Sequence, residues 1–529
     1  MTADTKFATH RAPEDSKLEV IVANYFQGSD SGRSARTWRR CLLGVAAVAL
    51  VYCGLAGQAG AQEIAELPMA PLPQIDTGRS QPQSPIPTVR FAGGVTVEQA
   101  APGALALSLD DAVDRGLLHN LQVLLANENE RSVRGQISTV YYELMPNMNV
   151  TGYTRAQEID LAALGFKPSS LASFGFAPGT IHEIVKVNTT SAQFSADQVL
   201  FNLTDFYLYA AAKKAANVVH MNVLNVRGAV VQGVGTQYLA ALADQAQIAD
   251  AQALLTADEE VLRQATLSHD AGVGINLDVL RARVQLQSEE QALVSAQNKF
   301  AKDKIALNRL IGLPADQELN LTDTVPYADL VELPLEEAKT LAYQRRKDLL
   351  ELEAQLEVAQ RASKAVKYER MPSLAFNGYY GVLGITDGSY HGVFTAQGTL
   401  KIPIFEEGRF RGETEITASE EIALRHEIDA LKVTIDAQIR ASRLDVESSA
   451  ELVKVARSNV DLATQALSDT RDRFAAGVDD NLPVVQAQAT LASAQSQLIA
   501  TEFLFNQAKL ALARNTGVVE TQYKQYLGR

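Results

Sequence analysis

The sequence predicts a mainly α protein with a small β part, in which two long antiparallel helical hairpins are each accompanied by a pair of strands. Three observations predict it. The 68 residues from Leu203 to Asp270 contain no proline and are dominated by Ala, Gln, Leu and charged residues, mostly good helix formers. The segment Asp270-Ala-Gly-Val-Gly-Ile-Asn276 offers a tight turn, after which a second helical pattern runs back to Gly312. The arrangement then occurs a second time in the same chain.

At 1.5 Å per residue, an unbroken helix over 203–270 reaches roughly 100 Å, more than the diameter of a compact domain. Gly272 and Gly274 are expected to supply the left-handed conformers that end it, and Asn276 a side-chain oxygen that caps the return helix. In that return helix Leu293, Ala296, Phe300, Leu307 and Leu310 fall on three- and four-residue steps, a narrow stripe of coiled-coil type. The alanines between them permit close helix approach.

The chain has 529 residues, 47% of them hydrophobic, enough to bury a large core. A formal charge of −14 and the lack of a basic cluster in the body of the chain argue against nucleic acid as a partner. Residues 41–61 form an apolar run that follows Arg36, Trp38, Arg39 and Arg40 and ends in Ala59-Gly60-Ala61. It reads as a signal peptide cleaved before Gln62, with a retained transmembrane helix of minimum length as the alternative. Arg39-Arg40 is a weak twin-arginine match, and bulky Tyr52 before Cys53 argues against lipidation. Removal of residues 1–61 takes both cysteines, Cys41 and Cys53, and leaves no thiol for disulfide chemistry.

Residues 62–106 carry seven prolines and are expected to be a linker. The first repeat, 107–315, opens with Leu107-Ser-Leu-Asp-Asp-Ala112, where Ser108 caps a helix expected to run to about Met145, and Pro146 stops it. Strand-like segments follow at Met148–Glu158 and Ile184–Phe201. Between them lies an apolar, Gly- and Pro-broken loop around Leu164–Phe176 that either plugs inward or projects outward.

The second repeat, 333–517, restates these signals. Leu333-Pro-Leu-Glu-Glu-Ala338 answers the first opening, and Met371-Pro-Ser-Leu-Ala-Phe-Asn-Gly-Tyr379 answers Met145-Pro-Asn-Met-Asn-Val-Thr-Gly-Tyr153, both 226 residues later. Ala271-Gly-Val273 returns as Ala476-Gly-Val478, Asn276-Leu as Asn481-Leu, Phe300 as Phe505 and Gly312 as Gly517, all 205 residues later. The second strand pair is expected at Leu374–Ile385 and Gly392–Phe405. Residues 316–332 read as a linker between the repeats and 518–529 as a C-terminal tail.

Each strand segment is near the ten residues a tilted membrane strand needs, while a soluble hairpin resting on the helices is the other reading. Four strands cannot close a membrane barrel, because an open edge in lipid leaves backbone groups unpaired. Two chains would give eight strands around a filled interior, and three would give twelve around a water-filled lumen.

Signal peptide, Leu-Ser-Leu-Asp-Asp-Ala opening, Met-Pro-x-x-x-x-x-Gly-Tyr strand start, Ala-Gly-Val turns and the Leu310-Ile-Gly-Leu-Pro314 ending together resemble the TolC-type outer-membrane efflux factors, over about Leu107 to Gly517. The resemblance implies a homotrimer whose helices form an α-barrel tunnel in the periplasm and whose strands form a 12-stranded transmembrane β-barrel in the outer membrane. It also implies a periplasmic adaptor (membrane fusion) protein and an inner-membrane pump as partners, in efflux or in type I secretion. A periplasmic coiled-coil scaffold or adaptor is the competing class; a scaffold would lack the strands, and an adaptor would carry a compact β-domain.

Enzyme chemistry finds no support, since the seven histidines show no zinc-ligand spacing and Gly272-Val-Gly274 is a lone GxG with no strand before it. No cofactor is expected. The expected adaptor-docking surface is the two turns: Ala271, Gly272, Val273, Asn276 and Leu277, with Ala476, Gly477, Val478, Asn481 and Leu482. The expected entrance gate is Asp278, Phe474, Asp479 and Asp480, because a carboxylate repeated about a trimer axis makes a ring that selects cations or binds a divalent ion. By resemblance, some family members close the tip with an aromatic and a basic residue of the second turn linked to an aspartate of the first. Asp278 matches that aspartate, but Phe474 and Asp479 stand at the other two positions, and Pro483 and Gln486 replace aspartates that line the entrance.

Overall fold

The computed structural model describes residues 93–95, 102–160, 184–324, 328, 334–386, 388–476 and 478–528. The leader, most of the Pro-rich linker, the 161–183 loop, Leu333 and Gly477 lie outside the described residues. In chain order the elements are β1 (Leu105–Leu107), α1 (Leu109–His119), α2 (Leu121–Tyr142), β2 (Asn147–Asp160), β3 (Ile184–Phe201), α3 (Leu203–Asp270) and α4 (Asn276–Ile311). The second half adds β4 (Leu319–Leu321), α5 (Leu335–Arg345), α6 (Lys347–Tyr368), β5 (Ser373–Ile385), β6 (Tyr390–Lys401), α7 (Glu407–Ala475), α8 (Leu482–Asn515) and α9 (Val519–Tyr526). The chain forms two compact units. One includes Arg155–Thr189, the distal arms of β2 and β3, where Lys186 Nζ lies 3.2 Å from Glu158. The other takes in Leu72–Thr154 and Thr190–Arg529 and holds all that follows.

The long helices α3 and α7 run 68 and 69 residues, and α3 has the bounds its proline-free stretch predicts. The opening helix differs from expectation. Ser108 does cap it, in a box closed by Asp111, but the helix breaks at Asn120, where an extended backbone lets the side chain accept from Gln122 N at 3.0 Å and donate to Leu310 O at 3.3 Å. The same break recurs at Arg346, 226 positions on, between α5 and α6. There the guanidinium pairs with Asp348 at 2.6 Å and donates to Gln438. Gly312 and Gly517, 205 apart, share φ of 76° and 77°, so the duplication extends to the backbone.

The segment expected as an inter-repeat linker contains β4, which pairs in parallel with β1. Leu319 and Leu321 enter the main core beside Leu107, Leu109, Val231, Val234, Leu307, Ile311 and Leu510. Buried Tyr238 ties the junction together, donating its hydroxyl toward Leu107 O at 2.9 Å and Asp323 Oδ2 at 2.8 Å, while Asp323 accepts from Leu109 N at 2.8 Å. The expected C-terminal tail forms α9, because Val519, Tyr523 and Leu527 are apolar at four-residue steps and bury in this core. Tyr523 and Lys524 both reach Asp110, at 2.7 and 2.8 Å.

The strands form one sheet in the order β2-β3-β5-β6. Register separates the faces from the Ser373 and Lys401 pair to the Tyr380 and Phe394 pair, beyond which Leu383 and Val393 also stand on the face of Ser373. Across β5 and β6, Leu374 pairs with Leu400, Phe376 with Gly398, Gly378 with Ala396 and Tyr380 with Phe394 on one face, whereas Ser373 pairs with Lys401, Asn377 with Gln397 and Tyr379 with Thr395 on the other. Even-numbered Met148, Val150, Ala192, Phe194 and Leu200 continue the apolar side, and Asn377 donates to Asp197 at 2.8 Å on the polar side. Gly381 is required where β5 meets β3, since a Cβ there would stand 2.2 Å from Ala192 O.

Candidate functional site at the hairpin turns

The first turn is a Schellman closure of α3. Gly272 N donates to His269 O at 2.9 Å and Val273 N to Ser268 O at 3.0 Å, with Gly272 at φ +76°. Gly274 is not left-handed, contrary to expectation; it is needed because a Cβ there would lie 3.0 Å from the main chain of Ser268 and His269. Asn276 does not cap α4 either. The cap position belongs to Ile275, which offers no side-chain bond, and Asn276 is already helical and exposed. In the second turn Val478 N donates to Arg473 O at 3.1 Å and Arg473 pairs with Asp479 at 2.8 Å; Asn481 holds the cap position of α8 without a side-chain cap bond, and Asp480 Oδ1, one residue before it, accepts from Leu482 N at 3.2 Å.

Of the predicted docking residues, Ala271, Gly272, Val273, Asn276 and Leu277 are exposed in the first turn and Ala476, Val478 and Leu482 in the second. Asn481 is the exception. It is fully buried and donates its side-chain N–H to Asp278 O at 2.7 Å, joining the two turns from within.

Two of the four predicted gate residues, Asp278 and Asp480, are brought together, through a residue the sequence did not single out, while Asp479 pairs with Arg473. Arg281, one turn into α4, places Nη1 3.4 Å from Asp278 Oδ1 and 3.3 Å from Asp480 Oδ2. A basic residue of the first turn thus bridges to an aspartate of the second. Asp278 is buried, and burial followed by the nearby Asp480 charge raises its carboxyl above the usual range despite Arg281. Phe474 packs against an apolar core just behind the turns, formed by Leu254, Val261, Val279, Leu467, Val484 and Leu491. The signal that could have revealed Arg281 is its spacing of three from Asp278 on one helix face.

The described residues contain no group of three or more His, Cys, Asp or Glu side chains placed to hold a metal ion, and no helix among them is long and apolar enough to cross a membrane.

The sequence profile described as outer membrane efflux protein matches residues 112–313 and 340–518. Pyoverdine export outer membrane protein OpmQ of Pseudomonas aeruginosa is 24% identical over 425 residues, covering 78% of this chain and 85% of that protein. The probable efflux pump outer membrane protein TtgC of Pseudomonas putida is 22% identical, covering 74% and 79%. Alkaline protease secretion protein AprF of Pseudomonas aeruginosa is 23% identical over 297 residues, covering 54% and 60%. Among solved structures, CusC aligns with a TM-score of 0.66 at 16% identity, over 80% of this chain and 96% of that one, and the open state of the Neisseria gonorrhoeae MtrE outer membrane channel with 0.64 at 15%, over 81% and 95%. Each matched segment covers most of one repeat, and the chain belongs to the outer membrane efflux protein family, as an outer-membrane channel.

Proposed function

We propose that three copies of this chain assemble into an exit duct for a tripartite efflux or type I secretion system, passing small molecules or proteins delivered by an inner-membrane pump and a periplasmic adaptor. The observation that carries this reading is the two-faced sheet. Its apolar side presents Val150, Tyr380, Phe394 and Leu400 exposed, its polar side presents Asn377, Gln397 and Thr395, and its outer strands β2 and β6 each keep an edge unpaired among the described residues. Such a sheet suits lipid on one side and water on the other, and its edges demand neighbours of the same kind. Three sets of four strands close a barrel of twelve, wide enough for a lumen.

The hairpin turns lie at the opposite ends of α3 and α7 from the strands. We assign their exposed apolar residues Val273, Leu277, Val478 and Leu482 to docking of the adaptor's helices, and the Arg281 bridge to closure of the entrance. Mass measurement of the full chain in mild detergent, after extraction from outer membranes, tests the assembly. A trimer is the expected result, and a helical monomer would overturn the shared barrel.

A further inference from the structure

Three polar side chains stand in the seam that packs the two hairpins together, a few turns back from their tips. On α3, Leu254, Asp258, Val261 and Ala265 follow the four-three-four spacing of a coiled-coil seam, and all four are buried. On α4, Val279, Ala282, Leu286 and Glu289 repeat that kind of spacing, with Glu289 buried at its end. From α8, Gln488 lies buried among Val484, Ala487 and Leu491. Asp258 is 2% exposed and Gln488 1% exposed; the Asp258 carboxylate faces the Gln285 and Gln488 amides, and neither approach reaches full hydrogen-bond geometry. A carboxylate at a core position of an apolar seam is costly when ionised and far less so when protonated.

The groups that face Asp258 sharpen the choice. From α4 come the Glu289 carboxylate and the Gln285 amide, from α7 the Arg471 guanidinium, and from α8 the Gln488 amide. Glu289 is itself held by Gln285 Nε2 at 3.0 Å. Two carboxylates thus share one buried region, with the exposed Arg471 guanidinium nearby.

We propose that Asp258, with Glu289 of its own hairpin facing it, forms a proton-dependent lock against Gln488 of α8, in which a proton held on Asp258 keeps the first hairpin packed against the second and its loss loosens that packing. A protonated Asp258 gains an O–H with which to donate to Glu289 or to Gln488 Oε1, an acceptor without a well-formed bond of its own. Burial, reinforced by the Glu289 charge, pushes the Asp258 carboxyl from its ordinary 3.8 up to about 6, and burial raises Glu289 as well. Because the folded value lies above the unfolded one, the stabilisation is full below about 3.8 and is lost as pH rises through about 6. Acid tightens the seam, and neutral pH relaxes it. The lock concerns packing within one chain and stands or falls separately from the assignment of the turns as a gate.

Hydrogen exchange on the full chain in detergent tests it, read at the amides of 254–265 and 484–491 and corrected for intrinsic rates. Between pH 5 and pH 7.5 the wild-type protection is expected to fall by about tenfold, the ratio that one group moved from 3.8 to about 6 produces. Asp258→Asn, which stays neutral throughout, is expected to abolish that fall. Glu289→Gln is expected to retain it with a lower midpoint, because the repelling charge is gone. Wild-type pH dependence persisting in Asp258→Asn, or an unmoved midpoint in Glu289→Gln, would overturn the proposal.

Discussion

Asn481, buried in the second hairpin turn, donates its side-chain N–H to the main-chain oxygen of Asp278 in the first, 2.7 Å away and 203 residues back in sequence. Asn481→Ala removes a single neutral hydrogen bond at a fully buried site and is expected to weaken the union of the turns by about 1 kcal/mol. Faster proteolysis at the tips, with the strands unaffected, is the readout; unchanged tip cleavage would assign Asn481 to local turn structure alone.

The Arg281 bridge makes a second expectation. Arg281→Ala and Asp480→Asn each remove the link between the turns and are expected to raise open probability in planar bilayers, by the equivalent of about 0.2–1 kcal/mol for a pair this exposed. The double variant is expected to do no more than Arg281→Ala alone, since Asp480→Asn breaks a contact that Arg281→Ala already removes. Asp480 is half exposed while the Asp278 side chain is mostly covered. Cation selectivity is therefore expected to fall more in Asp480→Asn than in Asp278→Asn, which single-channel reversal potentials measure.

Gly272 sits at φ +76° with open space around its Cα. Gly272→Leu meets no clash, and its cost is conformational, about 1–2 kcal/mol for a residue in the left-handed region. It is expected to abolish export while leaving assembly and membrane insertion intact, which transport assays and detergent mass measurement separate. Export that survives Gly272→Leu would remove the first turn from the docking surface.

Lys299 bridges buried Asp244 on α3 and Asp303 on its own helix, the latter at 3.5 Å. Burial and then Asp303 raise the Asp244 carboxyl to about 6, against the lowering effect of Lys299. A raised folded value means stability that is present in acid and lost as pH rises through about 6. Lys299→Met removes the lowering influence, so its deficit in melting temperature against wild type is expected to widen from pH 5 to pH 7.5. A deficit independent of pH would mean that Lys299 acts only through packing of its aliphatic stem.

The long helices and the four strands were legible because their signals are local: α3 is free of proline and closes at Gly272, and β5 begins just after Met371-Pro and carries the same Gly-Tyr pair as its counterpart. The break at Asn120 was not legible, since the residue that stabilises it, Leu310, lies 190 positions away. Arg281 escaped notice for the same reason, as its partner Asp480 is 199 residues distant. Asp258 stood in plain view on the 254, 258, 261, 265 stripe, but a single carboxylate among seam positions passes for a solvated face until its neighbours on α4 and α8 are known. Strand β4 was hidden by brevity, three residues in a proline-flanked stretch.

The pairing of β1 with β4 also fixes an order of events. Leu105 meets Leu319 and Leu109 N meets Asp323, contacts 214 residues apart in the chain. The start of the first repeat therefore cannot settle until the segment beyond the first hairpin is available, however early it emerges. Pairings of such high contact order slow folding, because loop-closure entropy is spent before the contacts return it. A fragment cut at the duplication boundary before residue 319 would leave Leu107 and Leu109 without their covering strand. The two repeats, alike as they are in sequence, are not separable folding units.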